Sequence, residues 1–487
     1  MLEREAVGAA ICRGGILADD MGLGKTFQTI GLLKNTPEYL TTLILCPPAL
    51  IAGWTAELKS CGFNVAFLLQ SAAWSTGKGG EKGGEKGDTV WLTSYPKACL
   101  YATSIAATGF QRVILDEGHV VRNGKATTRW MRCMTIAAVA QCRWILSATP
   151  VQNGLSDWRN LCAWLRVTCK ASEVASQGTC DSIMLRRTMA QLRSDSTMCD
   201  LPPTPRFLSH DLSIPAEGKE GQLFRILSDQ LENAVENKST SVLIRLEMWM
   251  RIQQFMVHPQ IYIEAMRNKF GGGYPRPDWT HGCTKWNAVM EVLTDAVKEN
   301  IGTIVFCNFR AEMDRVAEAA GAMGACVFSI RGGMTSEAVG DAVACAKEGV
   351  AAGKPVVVVV QIVSGGAGLN LQFCRRILFV SQHWNPAVVH QAVGRAVRIG
   401  QRSVVDIHMF RVVDDVIDNI DRRMIQVHLA KISGARKICQ SLYEGYAPLR
   451  EIPSVRITAT GHVNRDVPQT VPQTVDTADE NPVAPLD

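Results

Sequence analysis

Short apolar segments alternate with longer helix-like segments along most of the chain. Six of the short segments are continuous, rich in β-branched residues and end in polar or turn residues: TTLILCPP (41–48), VILD (113–116), RWILSATP (143–150), TIVFCNF (303–309), PVVVVVQIV (355–363) and RRILFVSQHW (375–384). Such segments are typical of strands in parallel sheets that are buried on both faces. The pattern occurs over residues 14–165 and again over 285–425. It therefore predicts an α/β fold of two lobes with parallel sheets.

The segments between and beyond these lobes have a different character. A Pro-rich joint, DLPPTPR (200–206), precedes stretches that look helical, and GKGGEKGGEKG (77–87) is a polar repeat that predicts a flexible surface loop. The end of the chain contains VPQTVPQT and little core material, which predicts disorder. The predicted division is a first lobe over 1–205, a helical inter-lobe segment over 206–280, a second lobe over 281–450 and a disordered tail over 451–487.

Composition narrows the class of protein without identifying its chemistry. The chain has 487 residues, of which 47% are hydrophobic and 20% charged, which is typical of a soluble globular protein. It contains no apolar run long enough to span a membrane. Its 16 cysteines show neither C-x-x-C spacing nor a Cys/His array, which favours an intracellular, reducing location and excludes an obvious zinc site. The net charge of +5 mildly favours a polyanionic partner.

The segment ILADDMGLGKT (16–26) resembles the end of a phosphate-binding loop. The usual pattern has a glycine five residues before Gly24, where this chain has Asp19. Backbone N–H groups of such a loop bind phosphate, the lysine reaches the β- and γ-phosphates, and the hydroxyl residue binds Mg²⁺. The alternative is a Gly-rich turn with a surface lysine. The predicted nucleotide-binding residues are Asp19, Asp20, Met21, Gly22, Leu23, Gly24, Lys25 and Thr26.

Two further segments of the first lobe carry candidate chemistry. In VILDEGH (113–119), an apolar strand delivers two carboxylates together: Asp116 suits Mg²⁺, and Glu117 suits the orientation or deprotonation of an attacking water. The alternative is a solvated acidic turn. In LSATPVQN (146–153), Ser147 and Thr149 are hydroxyl donors that link the ATP site to nucleic acid, or ordinary turn and cap residues. Because parallel sheets place functional groups at the carboxyl ends of their strands, all four are expected in one cleft.

The second lobe contributes a basic segment, HWNPAVVHQAVGRAVRIGQ (383–401). Gln391, Arg395 and Arg398 follow one another at intervals of four and three, which places them on one face of a helix. Two guanidinium groups aimed at one point suit a γ-phosphate whose charge spreads in the transition state. Taken alone, the segment favours a basic helix face in solvent. Its occurrence with the first-lobe segments favours the catalytic interpretation.

These segments together resemble a known family. GGILADDMGLGKT, LILCPPALIAGWTAEL, ILDEGHVVRN, LSATPVQN, LRRT with DLPP, RIQQFMVHP, IVFCNFR, GGAGLNL and HWNP with QAVGRAVRIGQ resemble, in order and spacing, the SWI/SNF-type helicase-like ATPases of helicase superfamily two. In that family an acidic pair replaces the first glycine of the phosphate loop. The resemblance implies two RecA-like lobes that bind ATP and Mg²⁺ in their cleft and double-stranded DNA across both, with no membrane partner.

The resemblance also assigns roles by matching position. Lys25, Thr26, Asp116 and Glu117 are expected to bind and hydrolyse Mg-ATP, while Arg395 and Arg398 act as arginine fingers with Gln391 beside them. Such proteins usually translocate on duplex DNA without separating its strands. The expected DNA contacts come from the segments CPP, TSY, NF, SGG and HWNP, at Pro47, Ser94, Asn308, Ser364, Gly365 and Trp384. Trp384 suits a packed core aromatic equally well.

Three positions depart from the family pattern. Ala6 stands where a glutamine usually reads adenine, Val363 where a basic residue often contacts DNA, and Val397 where a histidine is common. None of these departures removes a residue needed for hydrolysis. Two other functions remain open: a strand-separating DNA or RNA helicase of the same superfamily, and a DNA-binding scaffold that does not hydrolyse ATP.

Overall fold

The computed structural model of the chain describes residues 1–5, 12–36, 41–68, 74–75, 89–170, 172–195, 200–237, 239–271, 273–363, 368–413 and 420–443. The predicted flexible loop (77–87) and disordered tail (451–487) lie outside the described residues. So do Ala6, Ser364 and Gly365. Within the described part, no helix is long and apolar enough to cross a membrane.

The first lobe is built on a sheet whose described strands have the order β4-β3-β5-β2-β6-β7-β1-β8. Neighbouring strands are parallel, apart from β3 and β4. The central strands are buried along their length because their side chains are apolar on both faces. The strands are β1 (Gly14–Leu17), β2 (Thr42–Cys46), β3 (Asn64–Leu68), β4 (Trp74–Ser75), β5 (Thr89–Ser94), β6 (Arg112–Asp116), β7 (Cys142–Leu146) and β8 (Met184–Leu185).

Helices cover both faces of this sheet. Alternate residues of β2 pack into two separate cores, with Leu43 and Leu45 on one face and Ile44 on the other. Several helices start at a side-chain cap, as where Thr188 and Gln191 form a reciprocal capping box. The helices are α1 (Leu2–Glu5), α2 (Lys25–Lys34), α3 (Ile51–Ser60), α4 (Tyr95–Leu100), α5 (Ala102–Ala106), α6 (Thr128–Ile136), α7 (Leu155–Leu165), α8 (Gln177–Ile183) and α9 (Met189–Ser194).

The segment over 206–280, predicted to be helical, begins instead with a strand, β9 (Arg206–Leu212). Three helices follow: α10 (Lys219–Glu236), α11 (Val242–Val257) and α12 (Pro259–Lys269). They share an apolar core in which the rings of Phe224 and Phe255 stack with centroids 6.2 Å apart. The strand was missed because FLSHDL mixes apolar and polar residues and lacks the continuous apolar pattern of the other strands.

The second lobe has a parallel sheet with the order β11-β12-β10-β13-β14-β9, so β9 is its edge strand, paired with β14. Its other strands are β10 (Thr303–Cys307), β11 (Cys326–Ile330), β12 (Val356–Gln361), β13 (Arg376–Phe379) and β14 (Asp406–Val412). Its helices are α13 (Thr284–Lys298), α14 (Arg310–Ala322), α15 (Ser336–Ala351), α16 (Pro386–Val393) and α17 (Ile420–Arg436). The two predicted parallel sheets, and the six predicted strands as β2, β6, β7, β10, β12 and β13, are confirmed.

After α17 the chain returns to the first lobe. Cys180 Sγ donates to the carbonyl oxygen of Ile438 at 3.1 Å, and the Tyr443 hydroxyl donates to the carbonyl oxygen of Val151 at 3.2 Å. Arg186 of the first lobe donates to the carbonyl oxygen of Ser441 at 2.7 Å. The second lobe is therefore joined to the first at the cleft and also through this returning segment, residues 438–443.

Candidate active site

The phosphate loop connects β1 to α2. Gly24 lies at the N-terminus of α2 in a left-handed conformation, with φ 73° and ψ 37°, which favours glycine because it has no Cβ. The first turn of α2 therefore presents backbone N–H groups at the loop, an arrangement that suits an anion. Lys25 Nζ donates to the carbonyl oxygens of Asp19 at 2.8 Å and Asp20 at 3.2 Å. Burial lowers the pKa of Lys25, while the neighbouring carboxylates, Glu117 first, oppose that change.

The acidic pair at the entrance of the loop holds arginines from the end of β8. The carboxylate of Asp19 accepts hydrogen bonds from the backbone N–H of Arg187 at 2.9 Å and from its guanidinium. The carboxylate of Asp20 accepts from Arg186 Nη2 at 2.8 Å and from the backbone N–H of Met189 at 3.0 Å. These contacts anchor the loop to the segment that follows β8, and the predicted role of the pair in nucleotide binding stays a prediction.

Arg186 and Arg187 contact the phosphate loop, although no sequence pattern assigned them a role. Arg186 Nη1 also donates to the carbonyl oxygen of Ala18 at 2.5 Å, which fixes the end of β1 as well as Asp20. The available signal was two consecutive arginines in LRRT and two consecutive aspartates in DDMG. Sequence alone does not pair them, because 166 residues separate Arg186 from Asp20 and the parallel pairing of β8 with β1 brings them together.

Asp116 lies at the carboxyl end of β6, and both of its carboxylate oxygens accept hydrogen bonds. Trp54 Nε1 donates to Oδ2 at 2.7 Å, and the backbone N–H of Glu117 donates to Oδ1 at 3.0 Å. Burial, together with the charge of Glu117, raises the pKa of Asp116 to about 6, while the hydrogen bond from Trp54 and the charge of Lys25 oppose the rise. Trp54 is thus a third residue, after Arg186 and Arg187, to which no sequence pattern assigned a role.

Glu117 is where groups from both lobes meet. Its backbone adopts a φ of 50°, which is unusual for a residue with a Cβ and is found where the surrounding structure enforces it. Gln391 Nε2 of the second lobe donates to Glu117 Oε2 at 3.3 Å, and His119 Nδ1 lies 3.3 Å from the same oxygen. Burial alone raises the pKa of Glu117, but the hydrogen bond and charge of His119, with the charges of Arg395 and Lys25, lower it overall.

His119 links this carboxylate to the SATP segment. Its Nδ1 lies 3.1 Å from Ser147 Oγ, and Ser147 Oγ accepts from the backbone N–H of Thr149 at 3.3 Å. Both hydroxyl residues are buried, with 1% of their surface exposed. Ser147 and Thr149 therefore reach Glu117 through His119, and their predicted link from the ATP site to nucleic acid stays a prediction.

The basic segment of the second lobe lies across the cleft from the phosphate loop. Gln391 is in α16, but that helix ends at Val393, and both arginines follow it. The prediction that Gln391, Arg395 and Arg398 share one face of a helix is therefore wrong. Arg395 is 8% exposed; burial lowers its pKa to about 10, which the charge of Glu117 opposes, so the group remains charged at neutral pH. Arg398 lies beside the loop itself, since a Cβ on Gly22 would come within 2.7 Å of Arg398 Cβ. The three predicted residues thus lie on the cleft side of the second lobe.

A cavity of about 140 Å³ lies between the lobes. Its lining includes Pro47, Glu117 and His119 from the first lobe and Gln391 and Arg395 from the second. Of the predicted nucleotide residues, Met21 packs against the second lobe, where a Cβ on Gly394 would meet its Cβ at 2.9 Å. Of the predicted catalytic residues, this cavity brings together Glu117 of the first lobe with Gln391 and Arg395 of the second.

The described residues among the predicted DNA contacts lie near the carboxyl ends of strands. Pro47 follows β2, and Ser94 ends β5 with only 5% of its surface exposed. Asn308 follows β10, and its Nδ2 donates to the carbonyl oxygen of Gln382 at 2.9 Å. Trp384 packs edge-on against Trp249 of α11 with ring centroids 5.9 Å apart, which supports its alternative role as a packed aromatic. Val363 is 66% exposed.

Comparison with known proteins gives a consistent result in both halves of the chain. A family model described as the SNF2-related domain matches residues 9–177, and one described as the helicase conserved C-terminal domain matches residues 284–400. These two ranges contain every residue assigned above to ATP hydrolysis. The SNF2-related match includes the phosphate loop and the acidic pair of β6, and the C-terminal match includes the basic segment of the second lobe.

Similar proteins come from viruses, bacteria and archaea. The chain is 23% identical to a protein named "Probable global transactivator" of Orgyia pseudotsugata multicapsid polyhedrosis virus, over 91% of this chain and 90% of that protein. It is 23% identical to an "Uncharacterized ATP-dependent helicase" of Mycoplasma pneumoniae, over 86% of this chain and 39% of that protein. A solved structure titled "Sulfolobus solfataricus SWI2/SNF2 ATPase core in complex with dsDNA" is 20% identical over 82% of this chain and 84% of that chain, with a TM-score of 0.35.

The extent of these matches differs between relatives. The chain spans nine tenths of the viral relative but less than half the length of several others. Both domain matches nevertheless occur in one chain, in the same order as the two lobes of the fold. The chain belongs to the SWI/SNF-type helicase-like ATPases.

Proposed function

We propose that this protein is a DNA-dependent ATPase that uses ATP hydrolysis to translocate along duplex DNA without separating the strands. The observation that carries the proposal is the meeting of both lobes at Glu117, where Gln391 of the second lobe donates to the carboxylate at 3.3 Å. A catalytic site divided between two lobes is complete only when they close. Hydrolysis at such a site is therefore coupled to the relative movement of the lobes.

Each group at the site has a separate role in this proposal. Lys25 and the N–H groups at the start of α2 bind the phosphates, and Glu117 orients or deprotonates the attacking water. Arg395 and Arg398 stabilise the charge that develops on the transferred phosphoryl group, with Gln391 beside them. We infer that residues 1–205 form the ATP-binding lobe and 281–450 the second lobe, which also incorporates β9 from the segment over 206–280.

The oxygen ligands available at the site, from Asp116 and Thr26, suit a Mg²⁺ ion that is bound together with the nucleotide. Among the described residues there is no group of three or more His, Cys, Asp or Glu side chains suited to hold a metal. Mg²⁺ characteristically binds one or two protein ligands and the phosphates of its substrate, so a carboxylate at Asp116 and a hydroxyl at Thr26 fit it. When bound, the ion would neutralise charge on the phosphate oxygens.

Replacing Trp54 by phenylalanine is expected to weaken Mg²⁺ binding at neutral pH. The indole of Trp54 hydrogen-bonds Asp116 and opposes the rise in the pKa of that carboxyl, so its loss raises the pKa further. A protonated carboxyl is a poor ligand. In the wild-type protein the apparent affinity for Mg²⁺ should therefore fall as the pH falls below about 6, and in the variant the fall should begin at higher pH. Titration of Mg²⁺ against bound fluorescent ADP from pH 5 to pH 8 measures the Mg²⁺ affinity of the wild type and of the variant at each pH.

The matched control is Trp91→Phe, because Trp91 packs edge-on against Phe110 with ring centroids 5.6 Å apart, in the same lobe. Its pH profile should coincide with that of the wild type. Coincident profiles for Trp54→Phe and the wild type would show that this indole does not tune the metal-binding carboxyl.

Several observations support duplex DNA as the partner. The net charge is +5, and two of the predicted contacts, Pro47 and Asn308, follow the strands β2 and β10 of the two lobes. The similar bacterial protein is named an ATP-dependent helicase. A strand-separating helicase and a DNA-binding scaffold without hydrolysis are the alternatives that an experiment must separate.

Duplex DNA is expected to stimulate the ATPase more than single-stranded DNA or RNA does. Backbone phosphate contacts carry no sequence information, so stimulation should not depend on sequence and should weaken steeply with salt. In a second assay, ATP should drive release of a triplex-forming strand from a duplex, while a fully paired strand stays bound. Phosphate release and strand displacement, measured on the same preparation, test both expectations.

Lys25→Ala should abolish stimulation, and Lys34→Ala is its control because Lys34 lies exposed in the last turn of the same helix. Equal rates with and without DNA would reject the DNA motor. Efficient release of the paired strand would support the helicase instead, and DNA binding without hydrolysis would support the scaffold.

A further inference from the structure

Gln152 and Asn385 meet across the two lobes. Asn385 Nδ2 donates to Gln152 Oε1 at 2.7 Å, although the two residues are 233 positions apart in the chain. Gln152 belongs to the SATPVQN segment of the first lobe and is 2% exposed. Asn385 belongs to the HWNP segment of the second lobe and is partly buried. The hydrogen bond is thus largely shielded from solvent. A shielded hydrogen bond is electrostatically stronger than the same bond at the surface.

Each partner is also held firmly within its own lobe. The backbone N–H of Gln152 donates to Asp157 Oδ2 at 3.0 Å, and the next N–H, that of Asn153, donates to the same oxygen at 2.8 Å. In the second lobe, Asn385 Oδ1 accepts from the backbone N–H of Ala387 at 3.1 Å and so caps α16. The cap occupies the oxygen of the Asn385 amide, and the nitrogen of the same amide reaches Gln152.

This bond fixes the start of the helix that delivers the second-lobe catalytic groups. Gln391 lies six residues after Asn385, and a helix rises 1.5 Å per residue, so the two are about 9 Å apart along the axis. Gln391 Nε2 donates to Glu117 Oε2 at 3.3 Å, and Arg395 lies two residues after the last residue of α16. A shift at the helix start would move Gln391 and Arg395 together relative to Glu117.

We propose that Gln152 and Asn385 are positioning residues that form a catch between the lobes and set the closed geometry of the active site. The inference rests on the ATPase activity proposed above. Neither residue acts on the nucleotide in this proposal. Asn385 caps α16 and donates a hydrogen bond to Gln152, and that bond aligns Gln391 and Arg395 with Glu117. The catch forms on closure and breaks on opening, so its strength affects the closed state alone.

The test compares the kcat of Gln152→Ala and Asn385→Ser with that of the wild type. Serine keeps a capping oxygen for α16 but is too short to reach Gln152. Each variant should lose roughly three- to tenfold in kcat, the effect of one neutral hydrogen bond. Affinity for ADP, which binds the first lobe, should stay within about twofold. Affinity for ADP with aluminium fluoride, which requires both lobes, should fall by the same factor as kcat.

Three comparisons separate positioning from general damage. Gln152→Glu keeps an accepting oxygen for Asn385 and should retain kcat within about twofold. The kcat of the double variant should be no lower than that of the more impaired single variant, because the two substitutions remove the same hydrogen bond. Gln141→Ala, an exposed amide of the first lobe, should match the wild type.

Melting temperatures establish which variants fold. If Gln152→Ala does not fold, the kcat of Asn385→Ser alone tests the proposal. The catch would be overturned by any of three results. These are a wild-type kcat in the folded variants, additive losses of kcat in the double variant, and a loss of ADP affinity equal to the loss of kcat. A wild-type protein without ATPase activity would instead reject the proposed function.

Discussion

Glu117→Gln is expected to bind ATP but to hydrolyse it roughly 10²–10⁴ times more slowly than the wild type, the range that a positioned acid or base contributes. The amide keeps the shape of the side chain and loses its charge. In the wild type the hydrogen bond from His119 and the charges of Arg395 and Lys25 outweigh burial and lower the pKa of Glu117. The group is therefore a carboxylate at neutral pH, able to orient water or take its proton. Fluorescent ATP binding and phosphate release measure the two effects separately.

The control for this variant is Glu173→Gln, which makes the same chemical change at an exposed position of the same lobe. It should hydrolyse ATP at the wild-type rate. If Glu117→Gln also turned over at that rate, Glu117 would not handle the attacking water, and the first-lobe site would have to be assigned again. If it failed to bind ATP, the carboxylate would be needed for binding rather than for chemistry.

Asp116 and Glu117 lie at the carboxyl end of β6 and Gln391 lies on α16, as their local sequence patterns predict. A continuous apolar strand places the residues at its carboxyl end at the edge of a parallel sheet, so Asp116 and Glu117 were expected in the cleft. Spacings of four and three predicted Gln391, Arg395 and Arg398 on one face of a helix, but α16 ends at Val393, so only Gln391 lies on it. The structure then brings Gln391 and Glu117 within 3.3 Å, although 274 residues separate them.

Contacts that depend on tertiary structure were not predictable in this way. Trp54 reaches Asp116 from α3, and Arg186 reaches Asp20 from the end of β8, in each case across a neighbouring element. The sequence likewise gave no indication that Arg187 and Arg186 donate hydrogen bonds to the carboxylates of Asp19 and Asp20. The contact of Tyr443 with the first lobe also has no local sequence pattern, because the surface that Tyr443 covers forms only when the first lobe is folded.

Arg398→Ala is expected to reduce kcat by roughly 10³–10⁵, the contribution of an arginine finger, and to change ATP affinity little. Arg398 belongs to the second lobe, whereas the groups proposed to bind the phosphates belong to the first. Its backbone lies against the phosphate loop, since a Cβ on Gly22 would come within 2.9 Å of Arg398 Cα. A group supplied from the other lobe acts mainly after closure, and therefore on the transition state rather than on the first encounter with ATP.

Two further variants sharpen the measurement of turnover and ATP binding. Arg402→Ala removes an exposed arginine four residues further along and should leave both unchanged. Arg398→Lys keeps a positive charge but not the planar fork of donors, so most of the loss in kcat should persist, because a lysine cannot reproduce two parallel hydrogen bonds to one phosphate. Recovery of the wild-type rate in Arg398→Lys would show that charge alone matters at this position. A loss of ATP affinity as large as the loss of kcat in Arg398→Ala would show that the arginine binds the ground state, and the division of binding and catalysis between the two lobes would then be wrong.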